Sequence, residues 1–214
     1  MNASVSKNTL FLAQFAMLLA IEAIVCFTPL GSLPAIGPIV ATLGMVPVII
    51  TAILLGTGAG SAMGFFAGLF SFIVWTTTPP NPITAFVFTP VYAVPGQNHG
   101  SMLSLLICFV PRILVGTVTG LCFHLFQKTK MKSILVYGLS GLLGSLTNTI
   151  LVMGGIYVFF GQSYASAIQQ GVEALLGLIG LTVLTSGIPE ALIGAIAAYA
   201  VCYPIRKHLK HTVE

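Results

Sequence analysis

The sequence predicts an all-α integral membrane protein: a compact bundle of six transmembrane helices, with both termini in the cytoplasm and capping loops on the outer side. Three observations carry this. Only 6% of the 214 residues are charged and 57% are hydrophobic, whereas a soluble domain carries about 25% charged residues. So few charges cannot cover a water-facing surface. A hydrophobic stretch of about 20 residues spans a bilayer, and the chain has room for roughly six with short connections. Finally, Lys7, Lys128, Lys130, Lys132, Arg206, Lys207 and Lys210 all fall at one end of a six-span arrangement, which the positive-inside rule assigns to the cytoplasm.

The spans are read as helices because backbone groups facing lipid must be satisfied within their own segment. Span 1 covers about residues 10–30. No small-residue cleavage site follows it, so it reads as a retained helix rather than a removed signal peptide. Spans 2 to 5 cover about 39–55, 60–75, 101–126 and 134–160. The apolar region from Val172 to Tyr203 is too long for one span and is interrupted by "TSGIPEA". There Ser186 and Gly187 look like a helix start, with Pro189 in its first turn. Span 6 is therefore placed at about 188–205, and residues 166–184 become a separate apolar helix over the bundle; one long kinked helix is the alternative. The whole chain, 1–214, reads as a single domain without linker or repeat. Cys26, Cys108, Cys122 and Cys202 are scattered in apolar surroundings, without metal-ligand spacing, and read as small buried residues.

Glycines 56, 60, 64 and 68 recur every four residues, and Gly116 and Gly120 repeat the spacing in span 4. That spacing marks one helical face on which backbones can approach closely in lipid. Ala16 and Ala20 form a similar pair in span 1. They serve either packing within the chain or docking of another membrane protein.

"CFVPRILVG", residues 108–116, places Arg112 in an apolar run near the middle of the hydrocarbon core. A charge there costs at least a few kcal/mol unless it faces a cavity or a partner. Glu22, Asn148 and Glu190 belong to the same outer-half layer. Two readings stay open: an internal ion pair of Arg112 with Glu190 or Glu22, or a ligand carboxylate held by the planar guanidinium fork. The long outer loop after Trp75 supplies the other features of a pocket. Phe86, Phe88 and Tyr92 add flat walls; Asn81, Thr84, Gln97 and Asn98 add neutral hydrogen bonds. Its prolines (79, 80, 82, 90 and 95) forbid a long regular helix. The loop is read as a re-entrant cap bordering a cavity.

Several chemistries have no support in the sequence. It has no phosphate-cradling GxxxxGK[ST] loop, no HExxH pair and no G-x-S-x-G elbow. The chain is thus expected to be non-catalytic, with no cofactor, no metal and no nucleic-acid partner. Regular charge spacing for a voltage sensor and a carboxylate ring for a pore are also missing.

The stretches "AMLLAIEAI", "TLGMVPVIITAILLGTGAGSAMGFFAGL", "NPITAFVFTPVYAVPGQN", "CFVPRILVGTVTGL" and "GIPEALIGAIAAY" together resemble the substrate-binding S component of energy-coupling factor (ECF) vitamin transporters, most nearly the pantothenate-specific type. The resemblance implies a bacterial cell-membrane protein that captures a vitamin near the outer face. It implies three partners: a transmembrane coupling protein, the T component, and two cytoplasmic ATPases that supply the hydrolysis. It implies docking of the coupling protein on Ala16 and Ala20, and a site capped by loops at about 31–38, 76–100 and 161–187. With pantothenate as ligand, Arg112 suits the carboxylate and Asn148 and Asn81 the amide and hydroxyls, beside the walls of Trp75 and Tyr92 and the neutral hydrogen-bonding group of Thr84. A hydroxymethylpyrimidine would instead call on Glu190. A pyridoxine-type vitamer and riboflavin are further alternatives within the family, and a self-contained secondary transporter or channel is the rival outside it.

Overall fold

The computed structural model describes residues 6–28 and 43–211. Among these the regular structure is entirely helical. Helix α1 spans Lys7–Phe27, α2 Met45–Leu55, α3 Thr57–Thr77, α4 Leu103–Gln127, α5 Ser133–Ala167, α6 Val172–Thr182 and α7 Ile188–His211. A 3-10 turn, Pro82–Val87, lies between α3 and α4. Five of the continuous helical segments are long and apolar enough to cross a membrane, and α2 is a shorter apolar helix. The expected loop at 31–38 lies outside the described residues.

Two expectations about the last third of the chain are corrected. Residues 161–187 are not a loop, because α5 runs on to Ala167. No proline or left-handed glycine stops it at Phe160. It ends where Gln169 takes φ 56° and Gln170 N–H reaches back to Ala165 O at 2.9 Å, the closing bond of a Schellman turn. Nor is α6 separate from α7. A π-helical turn, Val183–Gly187, joins them into one apolar helix. Pro189 has no N–H to offer the preceding turn, and a π-bulge absorbs that mismatch without ending the helix. The Ser-Gly-Ile-Pro signal thus marks a widened turn, and the long-helix alternative is the one observed.

Close backbone contact holds the middle helices together. A Cβ on Gly64 would strike the carbonyl of Arg112, and one on Gly116 would strike the carbonyl of Gly60. Gly60 and Gly116 therefore face each other directly, while Gly64 and Gly68 lie on the α4 backbone at Arg112–Ile113 and Cys108–Phe109, and Gly120 lies on Thr57. Gly56 does not belong to this face. It is the hinge between α2 and α3, with φ 101°, a conformation that L side chains rarely adopt. On the other side of α4, Gly144 of α5 packs on Thr119.

The interior divides into two apolar clusters. One gathers Val48, Ile49, Met63, Val115, Phe123, Tyr137, Ala198 and Cys202. Arg206 closes this end by donating to Ile53 O at 3.3 Å and resting over the Phe123 ring at 4.9 Å. Ile53 lies in the last turn of α2, where carbonyls lack intrahelical partners. The other cluster gathers Trp75, Phe86, Phe88, Ile107, Val152, Ile156, Phe160, Tyr164 and Leu175. Between them runs a buried polar layer: Arg112 on α4, Ser145, Asn148 and Thr149 on α5, and Ser186 in the π turn.

Candidate functional site

The polar layer is organised by Arg112, which is 8% exposed and nine residues in from Leu103 at the start of α4. The residue before it explains its pose. Pro111 has no N–H, so the carbonyl of Ile107, four residues earlier, loses its helical donor. Arg112 Nη1 donates to that carbonyl at 2.8 Å. The guanidinium carbon also sits 5.4 Å from the centroid of Phe88, a cation–π contact worth about 2 kcal/mol when desolvated. These contacts leave Nε buried without a hydrogen-bond partner. A guanidinium anchored at one nitrogen and backed by a ring is preorganised to accept an anion on its remaining edge.

The cap after α3 is folded into the bundle rather than solvated. Ala85, Phe86, Val87 and Phe88 are each no more than 3% exposed. Asn81 starts the 3-10 turn, its Oδ1 accepting from Ile83 N–H at 3.1 Å. Ser104 at the start of α4 donates to Phe86 O at 2.6 Å, tying the turn down. Trp75, in the last turns of α3, stacks on Phe88 with centroids 4.5 Å apart. Trp75, Phe88 and Arg112 therefore form one layered stack. Tyr92 donates to Thr76 O at 3.2 Å, which holds the cap to the end of α3. Gln97 and Asn98 lie on an exposed turn.

The structure thus separates the expected binding residues by role. Arg112, Thr84 and Asn148 are buried, and each keeps a polar atom without a partner: Nε, Oγ1 and Oδ1. Trp75 supplies an apolar wall. Asn81 Oδ1 and the Tyr92 hydroxyl are committed to backbone groups of the cap. Glu190 stands half-buried in the first turn of α7. Glu22 is fully buried, but it accepts from Cys26 Sγ at 3.2 Å rather than from Arg112, and its Oε2 has no partner. Contacts of Phe15 with Phe66 and of Phe27 with Phe70 bring Glu22 beside the Gly68 turn. Gly68 packs on Cys108 and Phe109, so Glu22 lies about one turn from Arg112 along α4.

The sequence reading missed four buried hydroxyls that have no partner, those of Thr119, Ser145, Thr149 and Tyr164. Thr149 touches Gly187 in the π turn. A signal existed: Asn148, Val152, Ile156, Phe160 and Tyr164 follow one another at four-residue steps on the inward face of α5.

Ala16 and Ala20 are both exposed on α1. They lie on an outward face with Leu12, 65% exposed, and Met17, 60% exposed. Among the described residues, no other element of the chain buries the pair.

Residues 10–206 match the family described as ECF transporter, substrate-specific component. The chain belongs to that family. It is also 37% identical over 172 residues to the pantothenic acid transporter PanT of Lactococcus lactis subsp. cremoris strain MG1363, covering 79% of this chain and 80% of the relative. Among solved structures it superposes on ThiT of Listeria monocytogenes with a TM-score of 0.55. At 18% identity over 92% of this chain and 97% of the other, that likeness concerns the fold. As an ECF substrate-specific component the chain is a multi-pass bacterial membrane protein of a transporter.

Proposed function

We propose that this S component captures pantothenate in the polar layer beneath the cap and delivers it inward with an ATP-driven coupling module. The observation that carries the reading is the buried guanidinium of Arg112, anchored on Ile107 O, backed by Phe88 and unpartnered at Nε. Pantothenate has one carboxylate for this fork, and an amide and two hydroxyls for Asn148, Thr84 and Thr149. It carries no positive charge that Arg112 would repel. The pantothenic acid transporter among its relatives supports the same choice.

The orientation follows from charge. Lys7, the Lys128–Lys132 turn, Arg206 and Lys207 gather at one end, which the positive-inside rule puts in the cytoplasm. The cap and Trp75 then face outward, where the vitamin arrives. Ala16 and Ala20, exposed on α1, form the face for the transmembrane coupling protein. Close approach of small residues drives helix association in lipid, where burial of apolar surface gives no advantage.

Titration of the purified protein in detergent tests the site. Trp75 is the only tryptophan and stacks on the ring that backs Arg112. Its emission is expected to saturate with pantothenate. Pantothenol, which has an alcohol in place of the carboxylate, should bind at least tenfold more weakly because the fork loses its anion. Equal binding of the two compounds rules out the role given to Arg112.

A further inference from the structure

The turn between α4 and α5 carries Lys128, Lys130 and Lys132 at alternate positions, all three exposed. Three of the chain's eight Lys and Arg residues thus fall within five positions. The turn is tied down along its length. Lys128 N–H donates to Leu125 O and Thr129 N–H to Phe126 O, each at 3.1 Å. The Thr129 hydroxyl donates to the same Phe126 carbonyl at 2.7 Å. Phe126 and Met131 pack against the apolar cluster of Val48, Phe123 and Tyr137. The backbone is pinned from below, and its lysines are held together at the surface.

The carboxylates among the described residues stand far from this charge. They are Glu22, Glu173 and Glu190. Glu22 is buried in α1 beside the Gly68 turn, and Glu173 and Glu190 lie in the first turns of α6 and α7. Gly141 packs on Gly194 and Gly187 on Thr149, so α5 and α7 run antiparallel. Glu190 is then level with a point near residue 146 of α5, about 20 Å from Ser133 at 1.5 Å per residue. Charges that far apart are screened, since the Debye length in physiological salt is about 8 Å. Next to the turn the surface is apolar: Leu121 and Leu125 of α4 and Ile134 and Leu135 of α5 are 47–59% exposed. The 25 residues of α4 make a rod of about 38 Å, longer than the hydrocarbon core of about 30 Å. Its ends emerge into the headgroup layers, which puts the turn at the level of lipid phosphates.

We infer that this turn is a binding surface for anionic phospholipid: the three ammonium groups take the charged headgroup, and Leu121, Leu125, Ile134 and Leu135 meet the acyl chains. The positive-inside rule needs bases on one side of the membrane. It does not need three of them in one pinned turn, where like charges repel. An anion shared among them relieves that repulsion. Arg206, by contrast, is turned into the bundle, on Ile53 O and the Phe123 ring. Each base beside an anionic surface strengthens association about fivefold, so three give on the order of 100-fold before screening. The inference is independent of which vitamin the chain binds.

The test is native mass spectrometry of the purified chain, titrated with phosphatidylglycerol and with phosphatidylcholine of the same acyl chains. Both carry a phosphate, and only the first has a net charge. Wild type should bind the first phosphatidylglycerol at least tenfold more tightly than phosphatidylcholine. Lys128→Gln with Lys130→Gln and Lys132→Gln should erase the preference, with an unchanged thermal midpoint in lipid-free detergent. Lys207→Gln, which removes an exposed base from α7, should keep it. Inorganic phosphate at matched ionic strength should displace no more lipid than chloride does. Equal binding of the two lipids by wild type overturns the proposal, as does a triple variant that keeps the preference. Equal losses in Lys207→Gln and the triple variant overturn it too, because net charge and not the turn would then act. Specific displacement by phosphate would make the turn a free-anion site. A triple variant that binds both lipids as wild type does, yet no longer co-purifies with the coupling protein, would give the turn to that partner instead.

Discussion

Arg112 and Pro111 act as a unit, and substitutions at the two should have opposite effects on stability. Arg112→Lys keeps a charge but loses the planar fork. It also leaves the Ile107 carbonyl without the donor it now has from Nη1. Pantothenate affinity should fall at least tenfold, and the protein should become less stable by about 1–3 kcal/mol, the cost of an unsatisfied buried acceptor. Pro111→Ala returns an N–H to the helix, so the carbonyl regains its own donor. The thermal midpoint in detergent should hold or rise, while the guanidinium loses its anchor and pantothenate affinity drops severalfold. Titration and thermal unfolding of the two variants check both signs. Unchanged affinity in Pro111→Ala would show that Nη1 does not need Ile107 to be positioned. The sequence did contain this clue, since a proline immediately before a buried arginine frees the carbonyl four residues back.

At the scale of helices, the α3–α4 seam positions the site. Gly64 lies against the backbone of Arg112 and Ile113, so the approach of the two helices sets where the guanidinium stands. Gly64→Ala is expected to force α3 and α4 apart. It should destabilise the protein by about 1–3 kcal/mol, the usual cost of overpacking, and weaken ligand binding with it. Gly58 is the control. A Cβ there meets nothing within 4 Å, so Gly58→Ala should be neutral or gain up to about 1 kcal/mol from helix propensity. Thermal unfolding of the pair separates a backbone-contact seam from a general preference for glycine. The four-residue spacing read from the sequence was sound for Gly60, Gly64 and Gly68. Gly56 shares the spacing but serves as a hinge, because periodicity alone does not tell a helical glycine from one at positive φ. The π turn at 183–187 was misread for a similar reason. A serine, a glycine and a following proline suit a helix N-terminus, and they equally suit a widened turn inside a helix.

At the scale of the molecule, capture and transport should separate. The Ala16–Ala20 face is exposed on α1, whereas the candidate site is buried behind α3 and α4. Ala16→Trp with Ala20→Trp should therefore hold a partner helix off by several ångströms, because close packing of small residues drives such association. The double variant is expected to bind pantothenate as wild type does, yet to lose ATP-dependent uptake in vesicles containing the full complex. Wild-type uptake would refute the docking role. Loss of binding as well would mean that α1 shapes the site, through Glu22 for example.

What the sequence determined by itself was the solvent, and with it the fold class. A chain with 6% charged residues must place its helices in lipid, and a lone arginine within a span must turn inward. Both follow from transfer costs that need no coordinates. The tertiary structure alone decided the partners. It assigned Arg112 to Ile107 and Phe88 rather than to Glu22, gave Glu22 to Cys26, and committed Asn81 Oδ1 to its own turn. It also left Thr149 and Tyr164 unmatched inside and Ala16 and Ala20 outside. Transfer cost depends on a residue's own chemistry, which the sequence carries. Partnership depends on the register and rotation of neighbouring helices, which close backbone contacts set over the whole bundle.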